Sequence, residues 1–187
     1  MNSCMAKTAL LVMDVQRAIV SRFDSDPAYL SRLGRAIAHA RAGDVTVGYV
    51  AVGFRAGHPE VSPANPTFGP MIGTDAFTAA DPGAEIHPSV APAPGDPVFT
   101  KKRVGAFSGT DLDLALRSSG ITDLVLTGIS TSGCVLTTVR QAFDLDYRLT
   151  VLSDGCLDAD DEVHRILTTA VFPRQATVLT VAEWSSA

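Results

Sequence analysis

Three side chains with different chemistries follow predicted strands at widely separated points of the chain. Asp14 comes directly after the first apolar run, Lys101 comes after the third predicted strand, and Cys134 lies just beyond the fourth. Ligands of open parallel sheets bind outside the carboxyl ends of the strands, so these side chains are candidates for one common site. A thiol, a carboxylate and an ammonium together could perform nucleophilic catalysis, in which a base and a cation support the attacking sulfur.

Each of these residues also has a purely structural interpretation. An aspartate after a strand is often a turn residue. Lys101 stands in a run with Lys102 and Arg103, and such charge runs usually face solvent. A lone cysteine such as Cys134 is often a small buried apolar residue.

The sequence around the cysteines favours Cys134 as the nucleophile. The turn GISTSGC places Cys134 at a predicted helix N-terminus, where free backbone N–H groups and the helix dipole favour a thiolate. The same N–H groups could hold a developing oxyanion. Cys156 stands among carboxylates in DGCLDADDE, which would raise its pKa, and Cys4 lies close to the first residue. None of the four histidines has a Cys/His signature context.

Apolar runs alternate with helical patterns along the chain. We predict strands over 8–13, 45–52, 97–100, 123–127, 149–152 and 176–181, and helices from Asp26-Pro27 to Gly43 and over 110–120, 134–146 and 160–172. This alternation predicts an α/β fold, with a parallel sheet and helices on both of its faces. The segment from Phe54 to Pro97 is rich in proline and glycine and has no period, which predicts an ordered loop of functional importance.

Composition limits the classes of function. With 187 residues we expect a single domain over 1–187, and the formal net charge of -5 argues against a nucleic-acid partner. No apolar run is long enough for a membrane span, and residues 1–7 lack the layout of a signal peptide. Three cysteines without a CxxC pair suit a reducing compartment. We therefore expect a soluble, cytoplasmic protein with no membrane partner.

Three segments together resemble the isochorismatase-like cysteine hydrolases. TALLVMDVQ resembles the family's first strand, with its catalytic aspartate at Asp14 and a following glutamine at Gln16. VFTKKRVGAFSGTDLDLAL resembles the lysine segment, in which the lysine stands six residues before Phe107, a spacing that selects Lys101 rather than Lys102. LVLTGISTSGCVLTTVRQAFDLDYRLTVLSDG resembles the segment of the nucleophile.

The resemblance implies a fold and a site. The fold is a three-layer α/β/α architecture on a six-stranded, mostly parallel, Rossmann-like sheet. The site is a catalytic triad of Asp14, Lys101 and Cys134. A cis peptide between Ile129 and Ser130 would turn the Ser130 N–H toward the Cys134 N–H, and the two groups would form an oxyanion hole. The family also implies a homodimer or a homotetramer.

Two further expectations concern the pocket and metals. By position, Gln16, Ile19, Phe107 and Val135 are candidate pocket residues. Nicotinamidases of this family bind a metal through an Asp-x-His pair and another histidine after the second strand. Here that stretch, VGFRAGHPEVSPANPTF, offers only His58, with one glutamate nearby. We therefore expect no metal and no other cofactor.

The presence of Cys134 favours hydrolysis of a C–N bond in a small amide, ureido or lactam substrate through a thioester. Two alternatives remain open. One is isochorismatase-type hydrolysis of a vinyl ether, with Asp14 as the acid and Cys134 dispensable. The other is a non-catalytic binding protein on the same fold, for which Cys134 would be unreactive.

Overall fold

The computed structural model describes residues 7–23 and 26–186, and its centre is a parallel sheet of six strands. The strands are β1 (Lys7–Met13), β2 (Thr46–Val52), β3 (Val98–Lys101), β4 (Ile121–Ile129), β5 (Arg148–Leu157) and β6 (Thr177–Leu179). They lie in the order β3-β2-β1-β4-β5-β6, and all neighbouring strands run parallel. The predicted α/β class is confirmed. The direction of winding reverses between β1 and β4, which is where doubly wound sheets bind ligands.

Helices cover both faces of the sheet. They are α1 (Arg17–Val20), α2 (Tyr29–Ala42), α3 (Leu112–Ser118), α4 (Leu136–Asp144), α5 (Asp161–Ile166) and α6 (Val181–Ser185). Apolar residues of α1, α2 and α6 pack on one face, and those of α3, α4 and the segment after α5 pack on the other. None of these helices, within the part of the chain that the structure describes, is long and apolar enough to cross a membrane.

The central strand β1 explains why the first apolar run is continuous rather than alternating. Ala9, Leu11 and Met13 belong to the core beneath α3 and α4, whereas Leu10 and Val12 belong to the core beneath α2. A strand that is buried on both faces needs apolar side chains in both directions. The end of β1, and with it Asp14, is therefore fixed by packing from two sides.

Several element bounds differ from the predictions. Helix α2 begins at Tyr29 rather than Pro27, because the Asp26 carboxylate accepts the N–H of Ala28 in a turn that precedes the helix. The predicted helix over 160–172 is three segments: α5, a π-helical turn Leu167–Val171 and a 3₁₀ turn Phe172–Arg174 that contains Pro173. Proline has no N–H to donate, so a regular α-helix cannot continue through it. The short helices α1 and α6 were not predicted, since four and five residues are too few to show a helical period.

The long segment after β2 is organised around its own small core. It contains three 3₁₀ turns, Gly69–Met71, Pro82–Ala84 and Pro88–Val90, each with proline in its first turn. Its buried side chains form a cluster with the end of β2, made by Val52, Phe54, Val61, Phe68 and Phe77. The segment thereby covers the carboxyl end of β2, beside the end of β1.

Gln16 attaches this segment to the sheet. Its side chain is fully buried, donates to the carbonyls of Val52 (2.9 Å) and Ala84 (2.6 Å), and accepts the Val52 N–H at 2.9 Å. Backbone bonds on either side, from Arg17 N to Glu85 O and from His87 N to Val15 O, continue the attachment. One amide therefore satisfies backbone groups of both the strand and the loop.

We predict that Gln16→Leu lowers the free energy of unfolding by about 1–3 kcal/mol, because it leaves buried backbone groups of Val52 and Ala84 without partners. Urea unfolding followed by circular dichroism measures this change. Arg17→Ala is the matched control, since the exposed Arg17–Glu85 ion pair joins the same two segments and is worth about 1 kcal/mol at most. Equal effects of the two substitutions would contradict the structural role of Gln16.

Candidate active site

Asp14, Lys101 and Cys134 meet at the carboxyl edge of the sheet. The Lys101 Nζ lies 2.7 Å from Asp14 Oδ2 and 3.2 Å from Cys134 Sγ, and it donates to the Val104 carbonyl at 2.6 Å. An ammonium has three N–H donors, so each has an acceptor. Lys101 is only 2% exposed. A buried charge of this kind is tolerated only when it is paired and hydrogen-bonded.

The backbone holds Asp14 in an uncommon conformation at the end of β1. Its φ is +57°, and its N–H donates to the Val50 carbonyl at 2.8 Å. The neighbouring strand approaches so closely that a Cβ at Gly128 would collide with the backbone of Met13. Gly128 also has a φ of +137°, which favours glycine. This glycine lets the ends of β1 and β4 lie side by side.

Lys101 is the last residue of β3 and pairs with Val52 of β2. It was expected just after that strand. Lys102, the alternative in the charge run, is half-buried and lines a different cavity, next to Thr100 and Arg55. Lys102 lies beyond the end of β3, and of these two lysines it is Lys101 that contacts Asp14.

Cys134 lies in a π-helical turn, Thr131–Val135, that leads directly into α4. Regular α-helix begins only at Leu136, although the helix was predicted from Cys134. The peptide bond between Ile129 and Ser130 is cis. Ser130 caps the turn, because its hydroxyl accepts the Gly133 N–H at 3.1 Å.

Asp158 and His164, which both follow β5 in the chain, support this turn. The sequence analysis did not identify either of them. Asp158 Oδ2 accepts the Ser132 N–H at 2.6 Å, and His164 Nδ1 lies 2.8 Å from the Thr131 hydroxyl. Asp158 comes directly after β5 at the same edge of the sheet as Asp14. The strand-end rule that selected Asp14 could therefore have selected Asp158 as well.

Helix α4 also holds the segment that supplies the Val104 carbonyl. The Thr138 hydroxyl accepts the Ala106 N–H at 3.1 Å, and the Gln141 side chain bonds Phe107 N and Ser108 Oγ. The helix that follows the cysteine thus also positions the acceptor of the lysine.

Burial shifts the pKa of each of the three groups, and their mutual contacts add to that shift or oppose it. It raises the pKa of the Cys134 thiol to about 12, and the Asp14 charge adds to the rise, although Lys101 opposes it. Burial also raises the pKa of Asp14 above its usual range, against the attraction of Lys101. For Lys101, burial favours the neutral amine, but Cys134 and Asp14 together raise its pKa. Burial and the Asp14 charge thus both favour the thiol form of Cys134, and the contacts with Cys134 and Asp14 favour the ammonium form of Lys101.

The sequence analysis considered only the helix N-terminus, which favours a thiolate at Cys134, and not the burial of the sulfur, which opposes it. Burial raises the pKa of the Cys134 thiol by more than the neighbouring Lys101 lowers it. Burial is also the main reason why the pKa of Cys156 rises to about 12, with a smaller contribution from Asp154. Location, not pKa, separates the two cysteines, because Cys134 lines a cavity whereas Cys156 packs in the core beside Gly128. Cys4 lies outside the described residues.

A cavity of about 320 Å³ opens above Asp14, Lys101 and Cys134. Its other described lining residues come from α1 and the turn after it, the end of β2 and the long segment after it, the segment after β3, and the end of β4 with the turn after it: Ile19, Arg22, Phe23, Val52, Thr67, Phe68, Met71, Phe77, Val104, Ile129, Ser130 and Gly133. Most of these side chains are apolar. The volume suits a small organic molecule.

Of the four expected pocket residues, Ile19 lies in the wall and the other three do not. Gln16 is turned toward Val52 and Ala84, as described above. Val135 packs fully buried beneath α4, and Phe107 packs against the ring of Tyr147 with centroids 5.9 Å apart. These residues neighbour the site in sequence, but their side chains point into the core.

The residues considered as metal ligands have structural partners. The His58 Nε2 lies 2.8 Å from the Ala76 carbonyl, and its ring packs on Phe54, while Glu60 pairs with Arg55. Between residues 7 and 186, apart from 24 and 25, no three histidine, cysteine or carboxylate side chains converge as a metal site would require.

Comparisons with known proteins agree with this architecture. The model of the Isochorismatase domain family matches residues 8–183. YwoC of Bacillus subtilis, described as an uncharacterized isochorismatase family protein, is 34% identical over 174 residues, covering 93% of this chain and 90% of its own. The ureidoacrylate amidohydrolase RutB of Methylobacterium radiotolerans is 32% identical over 183 residues, covering 86% of this chain and 71% of its own.

Solved structures show the same similarity. An isochorismatase family protein from Burkholderia thailandensis superimposes with a TM-score of 0.83 and 29% identity, over 96% of this chain and 94% of that one. The N-carbamoylsarcosine amidase of Thermoplasma acidophilum gives a TM-score of 0.77 and 27% identity, over 94% and 97% of the two chains. The chain therefore belongs to the isochorismatase family of hydrolases.

Proposed function

We propose that this protein hydrolyses a C–N bond of a small amide, ureido or lactam compound, with Cys134 as the nucleophile and a thioester as the intermediate. The contact of one buried ammonium, Lys101 Nζ, with both Asp14 and Cys134 at the floor of the cavity carries the proposal. Two relatives support the bond type, since one is a ureidoacrylate amidohydrolase and the other an N-carbamoylsarcosine amidase.

The first step joins proton transfer to attack. The resting Cys134 is a thiol, so its proton must leave as the sulfur bonds to the carbonyl carbon. Asp14 Oδ1 is buried and has no hydrogen-bond partner among the described residues, which makes it the available acceptor. The Lys101 ammonium, 3.2 Å from the sulfur, stabilises the negative charge that develops there.

The carbonyl oxygen becomes an oxyanion in this step. We assign its binding to the N–H groups of Ser130 and Cys134, each worth about 2.7–4 kcal/mol in the transition state. Asp14 then gives its proton to the departing nitrogen, and the C–N bond breaks to leave the thioester. Water attacks the thioester carbonyl and Asp14 takes the water's proton. The C–S bond then breaks, the acyl group leaves as a carboxylic acid, and the proton held by Asp14 restores the Cys134 thiol.

A second candidate is isochorismatase-type hydrolysis of a vinyl ether. The raised pKa of Asp14 favours it, because an acid that protonates the substrate must hold its own proton near the working pH. In this reaction Cys134 would have no covalent role.

Cys134→Ala should lower the rate of amide or ureido hydrolysis by about 10³-fold or more, because it removes the nucleophile. The measurement compares a panel of amides, ureido compounds and lactams with isochorismate on the same preparations. Cys156→Ala, which removes the core cysteine outside the cavity, is the control and should retain turnover. Retained isochorismate hydrolysis by Cys134→Ala, with no amide hydrolysis by the wild type, would favour the second candidate.

Lys101→Met should slow alkylation of Cys134 by iodoacetamide near neutral pH. Loss of the ammonium raises the pKa of the thiol further, and each unit removes about tenfold of the thiolate. Mass spectrometry of the Cys134 peptide over time gives the rate, and circular dichroism checks the fold. Lys102→Met is the matched control and should react like the wild type. A larger effect of Lys102→Met would mean that the wrong lysine has been assigned.

The pH profile of kcat/KM should report Asp14. As the pH falls, protonation of Asp14 removes the acceptor for the Cys134 proton, so activity is lost on the acid side. Because burial raises the pKa of Asp14, this loss should occur at higher pH than for an exposed aspartate. Full activity down to the usual titration range of aspartate, with the fold intact, would exclude Asp14 as the base.

A further inference from the structure

The turn that carries Cys134 departs from a regular α-helix at one carbonyl. In an α-helix each N–H donates to the carbonyl four residues before it, so the Cys134 N–H would donate to Ser130. Here the Ser130 carbonyl accepts the N–H groups of Gly133 at 3.2 Å and of Val135 at 3.1 Å. Within the described residues, the Cys134 N–H does not donate to this carbonyl. The π-helical form of the turn therefore leaves the Cys134 N–H without its usual helical acceptor.

Two side chains from outside the turn hold the two residues that follow Ser130. Asp158, which is only 8% exposed, accepts the Ser132 N–H at 2.6 Å. His164 is half-buried, and its Nδ1 lies 2.8 Å from the hydroxyl of the fully buried Thr131. Both side chains come from the chain after β5, and neither belongs to α4. The turn is thus tied to a part of the fold outside the helix that it begins.

These two contacts favour the π-helical form over a regular helical start. Single π-helical turns are rare, and they occur frequently at functional sites. A π-helical turn holds one more residue than an α-helical turn, so rewinding it would move Thr131 and Ser132 relative to β5 and break both contacts. The bond from Ser132 to Asp158 has an ionised acceptor, and bonds of this kind are stronger than those between neutral groups.

We propose that Asp158 and His164 are positioning residues for the oxyanion, which hold the turn in the form that leaves the Cys134 N–H available to the developing charge. The proposal rests on the function proposed above and extends it to two further residues. Neither side chain is among the described residues that line the cavity, so each acts through the turn and not on the substrate. An oxyanion hole works because its donors are already aimed when the charge develops, and a donor that turns away loses this effect.

Two reactions of the same sulfur separate the position of this N–H from that of Cys134 itself. With p-nitrophenyl acetate, the sulfur bonds to the carbonyl carbon, an oxyanion forms, and p-nitrophenolate leaves an acetyl thioester behind. With methyl methanethiosulfonate, the sulfur bonds to the methylthio sulfur and methanesulfinate leaves, without an oxyanion at carbon. In both reactions the thiol proton passes through Asp14 to solvent.

The measured quantity is the ratio of the two rates. The p-nitrophenolate released in the first turnover, corrected with Cys134→Ala, gives the rate of acylation. Mass spectrometry of the Cys134 peptide over time gives the rate of thiolation by methyl methanethiosulfonate. A change that only exposes or buries the sulfur alters both rates and leaves their ratio unchanged.

Asp158→Ala should lower the ratio of acylation to thiolation by about tenfold or more, a part of the loss that follows removal of an oxyanion donor. Asp158→Asn should restore most of the ratio, because the amide oxygen can accept the Ser132 N–H without a charge. Thr131→Val and His164→Ala should each lower the ratio. Their double variant should lower it no further, because both changes break the same contact.

Asp160→Ala is the matched control. It also removes a carboxylate that accepts backbone N–H groups after β5, but these belong to Glu162 and Val163 of α5 itself. This variant should lower the free energy of unfolding, because it removes the N-cap of α5, and should keep the ratio of the wild type. A fall in its ratio equal to that of Asp158→Ala would mean that stability alone accounts for the effect, and would overturn the proposal.

The remaining outcomes are also decisive. An unchanged ratio in Asp158→Ala and Thr131→Val, or an equal fall of both rates, would overturn the positioning role and leave the proposed function in place. If Asp158→Ala does not fold by circular dichroism, Thr131→Val and His164→Ala decide the same question. If Cys134 of the wild type is thiolated but releases no more p-nitrophenolate than Cys134→Ala, the proposed acyl transfer fails and this proposal falls with it.

Discussion

The structure of the site depends on one buried ammonium. Lys101 Nζ has three donors and three acceptors, Asp14, Cys134 and the Val104 carbonyl, and water has almost no access to it. Removing such a charge from water is costly, and the cost is offset only when all three acceptors are in place. The ends of β1 and β3, the turn after β4 and the segment after β3 must therefore come together as one unit.

The topology of the sheet brings these parts together, and contacts of individual residues fix the distances between them. The reversal between β1 and β4 places Asp14 beside the turn that carries Cys134. Gly128 allows the two strand ends to approach, and Asp158 and His164 hold the turn from the side of β5. The ends of β1 and β3 thus contribute Asp14 and Lys101 to the site, whereas the end of β5 is followed by Asp158, which supports the turn that carries Cys134.

The sequence predicted that Asp14, Lys101 and Cys134 converge, but it predicted less well which other residues surround them. Asp14 and Cys134 followed from the rule for the carboxyl ends of parallel strands, because an apolar run reports where a strand ends. The choice of Lys101 over Lys102 came from the resemblance to the family, in which the lysine stands six residues before the residue that matches Phe107, since hydrophobic periodicity alone does not distinguish the two lysines. Gln16 was misassigned to the pocket for the same reason: its partners, Val52 and Ala84, lie far away in the chain. Which partner a side chain meets is decided by tertiary contacts that no local pattern contains.

The same limit applies to the pKa of the Cys134 thiol. A helix N-terminus can be recognised in sequence, but the burial that raises the pKa of the thiol to about 12 depends on packing of the whole molecule. A cysteine that is a thiol at rest reacts slowly with oxidants and stray electrophiles, because the thiolate is the reactive form. In the mechanism that we propose, Asp14 and Lys101 already lie in place, so the proton moves when a carbonyl carbon comes within reach of the sulfur. On that proposal, Cys134 becomes nucleophilic only when a substrate occupies the cavity, which would not hold for an exposed thiolate.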